Sequence, residues 1–229
     1  MLENPRSPRV RAVAKLTKRS ARSETGLFLL EGPQAVREAL AYRPEAIVEL
    51  FATPSALERH VDLRAAAAAA GIEVAYATEA VLDAMADTVT PQGVVAVARQ
   101  FPTSVRDVFA AGPRLVAICE EVRDPGNLGT IIRAADAAGA DAVVLTGRTV
   151  DPYNPKVVRA TTGSLFHVPV SLGGELADVA AAARAAGLRV VAADVKGEDL
   201  LAARAAGDLA RPTAWLFGNE ARGLTAEAL

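Results

Sequence analysis

Apolar residues along this 229-residue chain occur in two alternating patterns. Short continuous apolar runs are typical of buried strands, whereas apolar residues at i, i+3, i+4 and i+7 are typical of helices packed on one face. Over the first part of the chain these patterns predict strands at 25–32, 46–51, 72–76 and 93–98, and helices at 33–42, 54–70 and 79–85. The alternation predicts a small α/β domain over 1–105.

The same alternation resumes after segment 100–113, whose prolines and glycines predict a domain boundary with a linker at 106–113, and a short helix within the segment is the alternative. Further patterns predict strands at 114–119, 142–146, 166–170, 188–193 and 213–217, and helices at 127–138, 155–161, 174–186 and from Leu224 onward. Strands separated by helices favour a parallel sheet with helices on both faces. The predicted fold class is therefore α/β, with a second domain over 114–229.

The stretch 120–136 joins the first strand of the second domain to its helix. Its Asp-Pro-Gly-Asn sequence predicts a tight turn, and Asn127 is predicted to cap the helix that follows. Arg133 does not belong to the apolar face of that helix. It falls beside Gly126 and Thr130, near the strand end where open α/β sheets bind ligands. This pattern predicts an anion or ribose-phosphate site, and the alternative is a solvated arginine on an ordinary helix.

Two other polar clusters also follow predicted strands. Segment 151–164 offers Lys156 and Arg159 together with hydroxyl groups, which suits either a phosphate contact or a plain helix cap. Segment 218–224 places the carboxylate of Glu220 between two glycines. Glycines there allow close backbone approach to a ligand, or merely a tight turn. Each cluster alone is a weak signal.

Composition excludes several classes of protein. No apolar run approaches the roughly 18 residues of a membrane span, so no membrane association is predicted. Cys119 is the only cysteine, which fits a reducing cytoplasm. With His60 and His167 far apart in sequence, no cysteine- or histidine-rich cluster is available, and no metal is predicted. The chain also lacks the glycine-rich phosphate loops and the nucleophile elbow of known enzyme classes.

Charge is unevenly distributed along the chain. Residues 1–22, here called the basic arm, carry seven basic residues against Glu3, a net charge of +6. Because the whole chain carries −2, the remainder carries −8. A basic arm on an acidic body predicts contact with a phosphate backbone, and the alternatives are a transit peptide or a solvated tail. The basic residues of the arm are Arg6, Arg9, Arg11, Lys15, Lys18, Arg19 and Arg22.

Taken in order, three segments resemble the SpoU/TrmH family of RNA 2′-O-ribose methyltransferases, which belongs to the SPOUT superfamily. They are Asn-Leu-Gly-Thr-Ile-Ile-Arg-Ala-Ala at 127–135, Thr-Gly-Ser-Leu-Phe-His-Val-Pro-Val at 162–170 and Phe-Gly-Asn-Glu-Ala-Arg-Gly-Leu at 217–224. The resemblance covers 114–229. Segment 8–32 is similar to the N-terminal, ribosomal-protein-like RNA-binding domain that many rRNA-directed members carry.

The resemblance implies an S-adenosylmethionine-dependent enzyme that methylates RNA, with rRNA expected before tRNA. It also implies a cytoplasmic homodimer formed through the catalytic domain, which would be Rossmann-like with a trefoil knot. Periodicity cannot reveal a knot, and the general rule argues against one. Family members continue with segments that complete the knot and the cofactor pocket, whereas this sequence stops at Leu229. The chain as written is therefore expected to bind the cofactor poorly.

The family motifs also imply roles for individual residues. Arg133 matches the catalytic arginine, Asn127 the motif asparagine and Glu220 the glutamate of the Gly-Asn-Glu loop. The expected cofactor-binding residues are Ala193, Asp194, Gly218 and Asn219. The expected RNA-binding residues are Arg9, Arg11, Lys15, Lys18, Arg19, Lys156 and Arg159.

Two other functions remain open on the sequence. An RNA-binding protein of ribosome assembly, with a degenerate methyltransferase domain, would keep both the basic arm and the fold. The joint presence of Asn127, Arg133 and Glu220 argues against that reading, and the early stop argues for it. An unrelated nucleotide-binding α/β enzyme would need phosphate-loop glycines, which the chain lacks.

Overall fold

The computed structural model of the chain describes residues 1–224. These residues form two compact units. Unit 1 comprises Met1–Phe101 and Asp151–Phe166, and unit 2 comprises Pro102–Val150 and His167–Leu229. The helix predicted from Leu224 onward falls on 225–229, outside the described residues.

Helices and strands largely alternate along the described chain. Up to residue 101 they are α1 (Pro8–Lys15), α2 (Arg19–Thr25), β1 (Leu27–Glu31), α3 (Pro33–Tyr42), β2 (Ile47–Ala52), α4 (Pro54–Arg59), α5 (Val61–Ala69), β3 (Val74–Tyr76), α6 (Glu79–Met85) and β4 (Val94–Arg99). From residue 102 they are α7 (Val105–Ala110), β5 (Leu115–Glu120), α8 (Pro125–Ala137), β6 (Ala142–Thr146), α9 (Pro155–Thr161), β7 (Val170–Leu172), α10 (Leu176–Ala185), β8 (Arg189–Ala192), α11 (Leu200–Ala205) and β9 (Thr213–Phe217). No helix within residues 1–224 is both long and apolar enough to cross a membrane.

Unit 1 contains a four-stranded mixed sheet in the order β1-β4-β2-β3. Strand β4 lies between β1 and β2 and is antiparallel to both, while β3 is parallel to β2. The sequence predicted an α/β domain here but not the directions of its strands, and the sheet is mixed. Alternation of helix and strand does not fix where the last strand inserts, and here β4 returns through the middle of the sheet.

The basic arm folds as helices α1 and α2, which the sequence pattern did not predict. Ser7 caps α1 by accepting a hydrogen bond from the Val10 N–H (3.3 Å), and Pro8 occupies the first helical position, where a missing N–H is harmless. Val10 and Val13 are buried against the core of unit 1. Six of the seven basic residues of the arm are exposed, whereas Arg22 is buried.

The segment Asp151–Phe166 groups with unit 1, although the sequence assigned it to the second domain. The Tyr153 ring packs on Phe28 and Phe101, with ring centroids 4.7 and 5.8 Å apart. The Tyr153 hydroxyl also accepts a hydrogen bond from the Phe101 N–H (2.9 Å). Burial raises the pKa of Tyr153 to about 12. These aromatic contacts explain the grouping, because they bury side chains far apart in sequence.

Some predicted segments differ from those observed. The predicted linker 106–113 is largely helix α7, whose Val108 and Phe109 belong to the hydrophobic core of unit 2. The predicted helix 54–70 is two helices, interrupted at His60, where the backbone leaves the helical region (φ −123°, ψ 63°). The predicted bounds of the strand at 166–170 are wrong. Residues Ser164–Phe166 form a 3-10 turn, and the strand begins only where Val170 pairs with Val143. Local hydrophobicity could not distinguish a buried turn from a buried strand.

Unit 2 contains a five-stranded, entirely parallel sheet in the order β7-β6-β5-β9-β8. The prediction of a parallel sheet is confirmed here. The chain proceeds from β5 outward to β7, then crosses to the other edge and returns through β8 to β9. The strand order therefore reverses between β5 and β9. Open α/β sheets bind ligands at such a switch point, outside the carboxyl ends of the strands.

Candidate active site

The candidate site lies where β5 and β9 end side by side. Cys119 near the end of β5 pairs with Phe217 at the end of β9, so the two strands finish almost level. Two loops leave the sheet there: loop 121–124, which leads into α8, and loop 218–223, which follows β9. Both lie within unit 2.

Helix α8 is capped by Asp124, and the prediction that Asn127 is the cap is wrong. The Asp124 carboxylate accepts a hydrogen bond from the Asn127 N–H (2.8 Å). The helix starts earlier than expected because Pro125, with its fixed φ and missing N–H, suits the first helical position. Asn127 therefore lies in the first turn, and its side chain hydrogen-bonds the Glu220 carboxylate.

Glu220 fastens loop 218–223 to the start of α8. Its Oε1 accepts hydrogen bonds from the backbone N–H groups of Arg123 (3.1 Å) and Asp124 (3.0 Å). Partial burial acts to raise the pKa of Glu220, but the backbone hydrogen bonds from Asp124, Glu220 and Arg123 outweigh it and lower that pKa. Glu220 is therefore an ionised acceptor that shapes the loop, and it does not serve as a proton donor.

Asn219 and Gly218 determine the shape of loop 218–223. The Asn219 amide donates to the Glu121 carbonyl (2.8 Å), and its oxygen accepts from the N–H of Arg222 (3.1 Å). A Cβ on Gly218 would lie only 2.6 Å from the Gly223 carbonyl carbon, so no side chain fits there. The backbone of the loop is thus folded back on itself at the sheet edge.

The second predicted cofactor loop follows β8 and reaches the same place. The Ala193 N–H donates to the Leu216 carbonyl (2.9 Å), which continues the pairing with β9. The Asp194 carboxylate comes within 4.0 Å of where a Cβ on Gly223 would lie. The structure therefore brings Ala193, Asp194, Gly218 and Asn219 together around two adjoining loops.

Two cavities adjoin these loops and share Ala193, Leu200 and Trp215 in their walls. The first, about 420 Å³, is almost wholly apolar and extends to Phe217 at the end of β9. The second, about 620 Å³, is lined in addition by Asp194. Together they offer an apolar wall next to a charged one, which carries the carboxylates of Asp194, Glu198 and Asp208 and the guanidinium of Arg189.

Arg133 projects from the exposed side of α8. Within residues 1–224 its guanidinium makes no hydrogen bond and no ion pair. An unpaired arginine keeps all five of its N–H donors for a ligand. This availability distinguishes Arg133 from the other arginines near the loops, Arg123 and Arg222, which bind a carboxylate.

The predicted RNA-binding residues separate into two groups. Arg159 bonds Glu31 (2.8 Å) and Asp87 (2.9 Å), and Arg9 donates to Glu49 (2.6 Å). These two arginines are therefore occupied by carboxylates. The other predicted residues are exposed and form no ion pair with the described part of the chain: Arg11, Lys15, Lys18, Arg19 and Lys156.

Cys119 is fully buried, as its apolar surroundings predicted. Burial, with a smaller contribution from the Glu220 carboxylate, raises the pKa of its thiol to about 12, so it stays protonated at neutral pH. No three His, Cys, Asp or Glu side chains of residues 1–224 come together as a metal site would need.

Sequence reasoning missed Glu121. It has a left-handed backbone (φ 51°), and its carboxylate binds Arg123 and Arg222. Nothing in the local sequence signals that conformation in a glutamate.

Two family models match the chain. Residues 114–229 match the SpoU rRNA Methylase family, and residues 29–104 match a model described as RNA 2′-O ribose methyltransferase substrate binding.

Among similar proteins, the 23S rRNA (guanosine(2553)-2′-O)-methyltransferase RlmP of Bacillus subtilis is 37% identical over 174 residues. That match covers 74% of this chain but only 63% of the Bacillus protein, which is less than two thirds of its length. An uncharacterized tRNA/rRNA methyltransferase of Synechocystis is 32% identical over 100% of this chain and 81% of its own.

Two solved structures resemble the chain over nearly its whole length. The AdoMet-bound rRNA methyltransferase from Sinorhizobium meliloti is 34% identical, with a TM-score of 0.82 over 99% of this chain and 83% of its own. The SpoU methyltransferase AviRb from Streptomyces viridochromogenes, in complex with the cofactor AdoMet, is 29% identical, with a TM-score of 0.76 over 97% of this chain and 85% of its own.

Proposed function

The chain belongs to the SpoU rRNA methylase family, and we propose that it transfers a methyl group from S-adenosylmethionine to a ribose 2′-hydroxyl of ribosomal RNA. One observation carries the proposal. The helix that bears the unpaired Arg133 starts at the switch point of the sheet, where Glu220 and Asn219 tie the two adjoining loops together. This arrangement provides a free cation on the helix that leaves the crevice, about two turns beyond the fastened loops.

The residues around the loops fit a nucleoside-type cofactor. S-adenosylmethionine supplies a methyl group activated on a sulfonium. The apolar cavity wall suits a base, and the Asp194 carboxylate, as an acceptor-only group, suits ribose hydroxyls. Gly218 leaves only backbone at its position, which allows close approach. We assign cofactor binding to Ala193, Asp194, Gly218 and Asn219.

Arg133 is the residue that we assign to the reacting hydroxyl. During transfer a carbon–oxygen bond forms, the carbon–sulfur bond breaks, and the hydroxyl proton passes to solvent or to a base. A guanidinium is a poor acceptor for that proton, because its pKa lies above 12. Its physically easier role is to hold the hydroxyl and stabilise the negative charge that develops on the oxygen. The family alternative makes this arginine the base, activated by RNA phosphate.

Asn127 and Glu220 then act as positioning residues in this proposal. Glu220 holds the backbone of Arg123 and Asp124, and Asp124 caps the helix that carries Arg133. The Asn127 side chain bonds the same glutamate. A change at either residue would therefore act on Arg133 through the start of α8.

We further assign RNA recognition to 1–105 and methyl transfer to 114–229, with 106–113 between them. A groove of about 570 Å³ beside α1 and α2 is lined by Arg11 and Lys15. These two residues, with Lys18, Arg19 and Lys156, are the proposed phosphate contacts. Arg9 and Arg159 are left out of that surface because carboxylates already bind them.

Assembly and compartment follow from the family assignment. We propose a homodimer formed through 114–229, a trefoil knot in that domain, and a cytoplasmic location. Light scattering of the full-length protein at micromolar concentration tests the dimer, and a monomeric mass would contradict it.

The activity is tested by incubating the full-length protein with methyl-labelled S-adenosylmethionine and ribosomal RNA. A methylated 2′-oxygen cannot attack its neighbouring phosphate, so the label should appear in a dinucleotide that resists alkaline hydrolysis. Label that appears in a mononucleotide base would contradict ribose methylation. Binding of RNA without any label would favour the alternative of a non-catalytic ribosome-assembly protein.

A further inference from the structure

Glu121, directly after β5, has an uncommon backbone. Within residues 1–224 only Glu121 (φ 51°) and Thr162 (φ 50°) among non-glycine residues have a left-handed φ. This conformation costs a side-chain-bearing residue free energy, whereas glycine adopts it freely. Glutamate occupies this position despite the strain, which points to a role for its side chain.

The Glu121 carboxylate joins two arginines from different loops. Its Oε2 accepts hydrogen bonds from Arg123 (2.9 Å) in loop 121–124 and from Arg222 (2.6 Å) in loop 218–223. Desolvation acts to raise the pKa of Glu121, but Arg123, Arg222 and Arg148 outweigh it and lower that pKa. The carboxylate is therefore ionised and charge-paired at neutral pH.

The backbone of Glu121 is held by two further loops. Its carbonyl accepts from the Asn219 amide (2.8 Å), and its N–H donates to the Thr146 carbonyl (3.3 Å) at the end of β6. A Cβ on Gly147 would lie 3.0 Å from the Glu121 Cγ, so the chain after β6 passes close by. Segments that follow β5, β6 and β9 thus meet at this one residue.

The contacts between loops 121–124 and 218–223 are reciprocal. Glu220 of the second loop binds the backbone of the first through Arg123 and Asp124. Glu121 of the first loop binds the second through the Arg222 side chain and the Asn219 amide. Removal of Glu121's carboxylate would leave one half of this arrangement in place.

We propose that Glu121 is a positioning residue for the cofactor site, whose carboxylate fixes loop 218–223 so that Gly218 and Asn219 are held ready for S-adenosylmethionine. The identity of the ligand rests on the proposed function, but the fastening of the two loops does not.

A phosphate site at Arg123, Arg148 and Arg222 is the competing interpretation, and charge argues against it. Four carboxylates surround these three arginines at the same edge: Glu120, Glu121, Asp124 and Glu220. The local charge is therefore not positive, and an RNA phosphate would gain little there.

The test separates the backbone of Glu121 from its side chain. Glu121→Gly relieves the left-handed strain, so the melting temperature of the full-length protein should rise by about 2–4 °C or stay unchanged. Because the carboxylate is lost, the Kd for S-adenosylmethionine by calorimetry should rise about tenfold. Arg222→Ala should weaken binding similarly without the gain in melting temperature. Arg184→Ala, an exposed change on α10, is the matched control and should alter neither quantity.

Different results point to different failures. If Glu121→Gly and Arg222→Ala both bind S-adenosylmethionine as the unchanged protein does, the inference is overturned. If Glu121→Gly lowers melting temperature and affinity together, Glu121 merely stabilises the fold. If the unchanged protein does not bind the cofactor, the proposed function fails. Hydrogen exchange of the backbone amides in 219–223 then tests by itself whether Glu121 fastens the two loops. Faster exchange in Glu121→Gly would support it, and equal exchange would exclude it.

Discussion

Two arginines, one in each unit, differ in burial and in hydrogen-bond partners. In unit 1, Arg22 is 2% exposed, and its guanidinium donates to Asp151 (2.8 Å) and to the carbonyls of Leu16 and Thr17 (both 2.9 Å). In unit 2, Arg133 is exposed and has no partner within the described chain. Burial and saturation of donors make the first arginine structural, and an unsatisfied fork leaves the second available to a ligand.

The carboxylates show the same contrast. In unit 1 the Glu31 carboxylate binds Arg159 as well as the backbone N–H of Thr88 (2.9 Å). At the sheet edge of unit 2, Glu220 is satisfied largely by backbone N–H groups, and no arginine side chain of the described residues binds it. A carboxylate held by backbone donors shapes a loop without neutralising a cation. The partners of a charged residue, more than its type, therefore indicate whether it is available for chemistry or supports the fold.

The largest effect is expected for Asp151→Ala, which tests the structural role of Arg22. It leaves Arg22 buried without its carboxylate, which should lower the free energy of unfolding by about 3–5 kcal/mol. Urea unfolding measures the loss. Asp62→Ala is the control, because the Arg37–Asp62 pair is exposed and should contribute less than about 1 kcal/mol. Equal, small losses in both variants would mean that Arg22 is not structural.

Arg133→Ala tests the proposed role of Arg133 in methyl transfer. Transfer of the methyl group should slow by about 10²–10³-fold, the usual consequence of losing one preorganised donor at a developing oxyanion. The melting temperature and the cofactor affinity should barely change, because the Arg133 guanidinium forms no hydrogen bond or ion pair with residues 1–224. Single-turnover rates with labelled cofactor measure the effect.

Arg133→Lys distinguishes the two roles of this arginine. Lysine keeps the charge but loses the planar fork, so substantial rescue would favour electrostatic stabilisation. A near-normal rate in Arg133→Ala would show that the reacting hydroxyl is held elsewhere.

Elements governed by local pattern were predictable from the sequence. The predicted bounds 33–42, 79–85, 142–146 and 213–217 are confirmed as α3, α6, β6 and β9. In each case the apolar periodicity and the adjacent proline, glycine or turn residues agree with the final structure. The parallel sheet of unit 2 followed from the same alternation.

Features decided by distant partners were not predictable. Arg159 binds Glu31 and Asp87, which precede it by 128 and 72 residues, and nothing nearby signals either contact. The grouping of Tyr153 with Phe28 is of the same kind. At the site, motif resemblance selected Asn127, Gly218 and Glu220, but their partners and the strained backbone of Glu121 depend on the tertiary structure. The sequence motifs thus identify candidate site residues, but the contacts of those residues depend on tertiary packing.

Tyr153 provides a pH-dependent test of the aromatic contacts in unit 1. Burial raises the pKa of its hydroxyl to about 12 in the folded state, against about 10 in the unfolded chain. The associated stability is fully present below pH 10 and is lost as the pH rises toward 12, a decline of about 2–3 kcal/mol. Unfolding measured from pH 9 to 12 should show it. Tyr153→Phe, which cannot ionise, should reduce the decline by about that amount and leave the part due to the Cys119 thiol, whose pKa is also raised to about 12. An unchanged decline would contradict the burial of the Tyr153 hydroxyl.

The smallest expected effect concerns free and paired cations on the basic arm. Arg11 and Lys15 line the groove beside α1 and α2 and form no ion pair within residues 1–224, whereas Arg9 binds Glu49 and lies 5.0 Å over the Phe51 ring. Replacing both Arg11 and Lys15 by alanine should weaken rRNA binding about tenfold at physiological salt. The slope of log K against log salt should fall by about 1.4–1.8, because each lost phosphate contact removes about 0.7–0.9. Arg9→Ala is the matched control, since Glu49 already neutralises that charge.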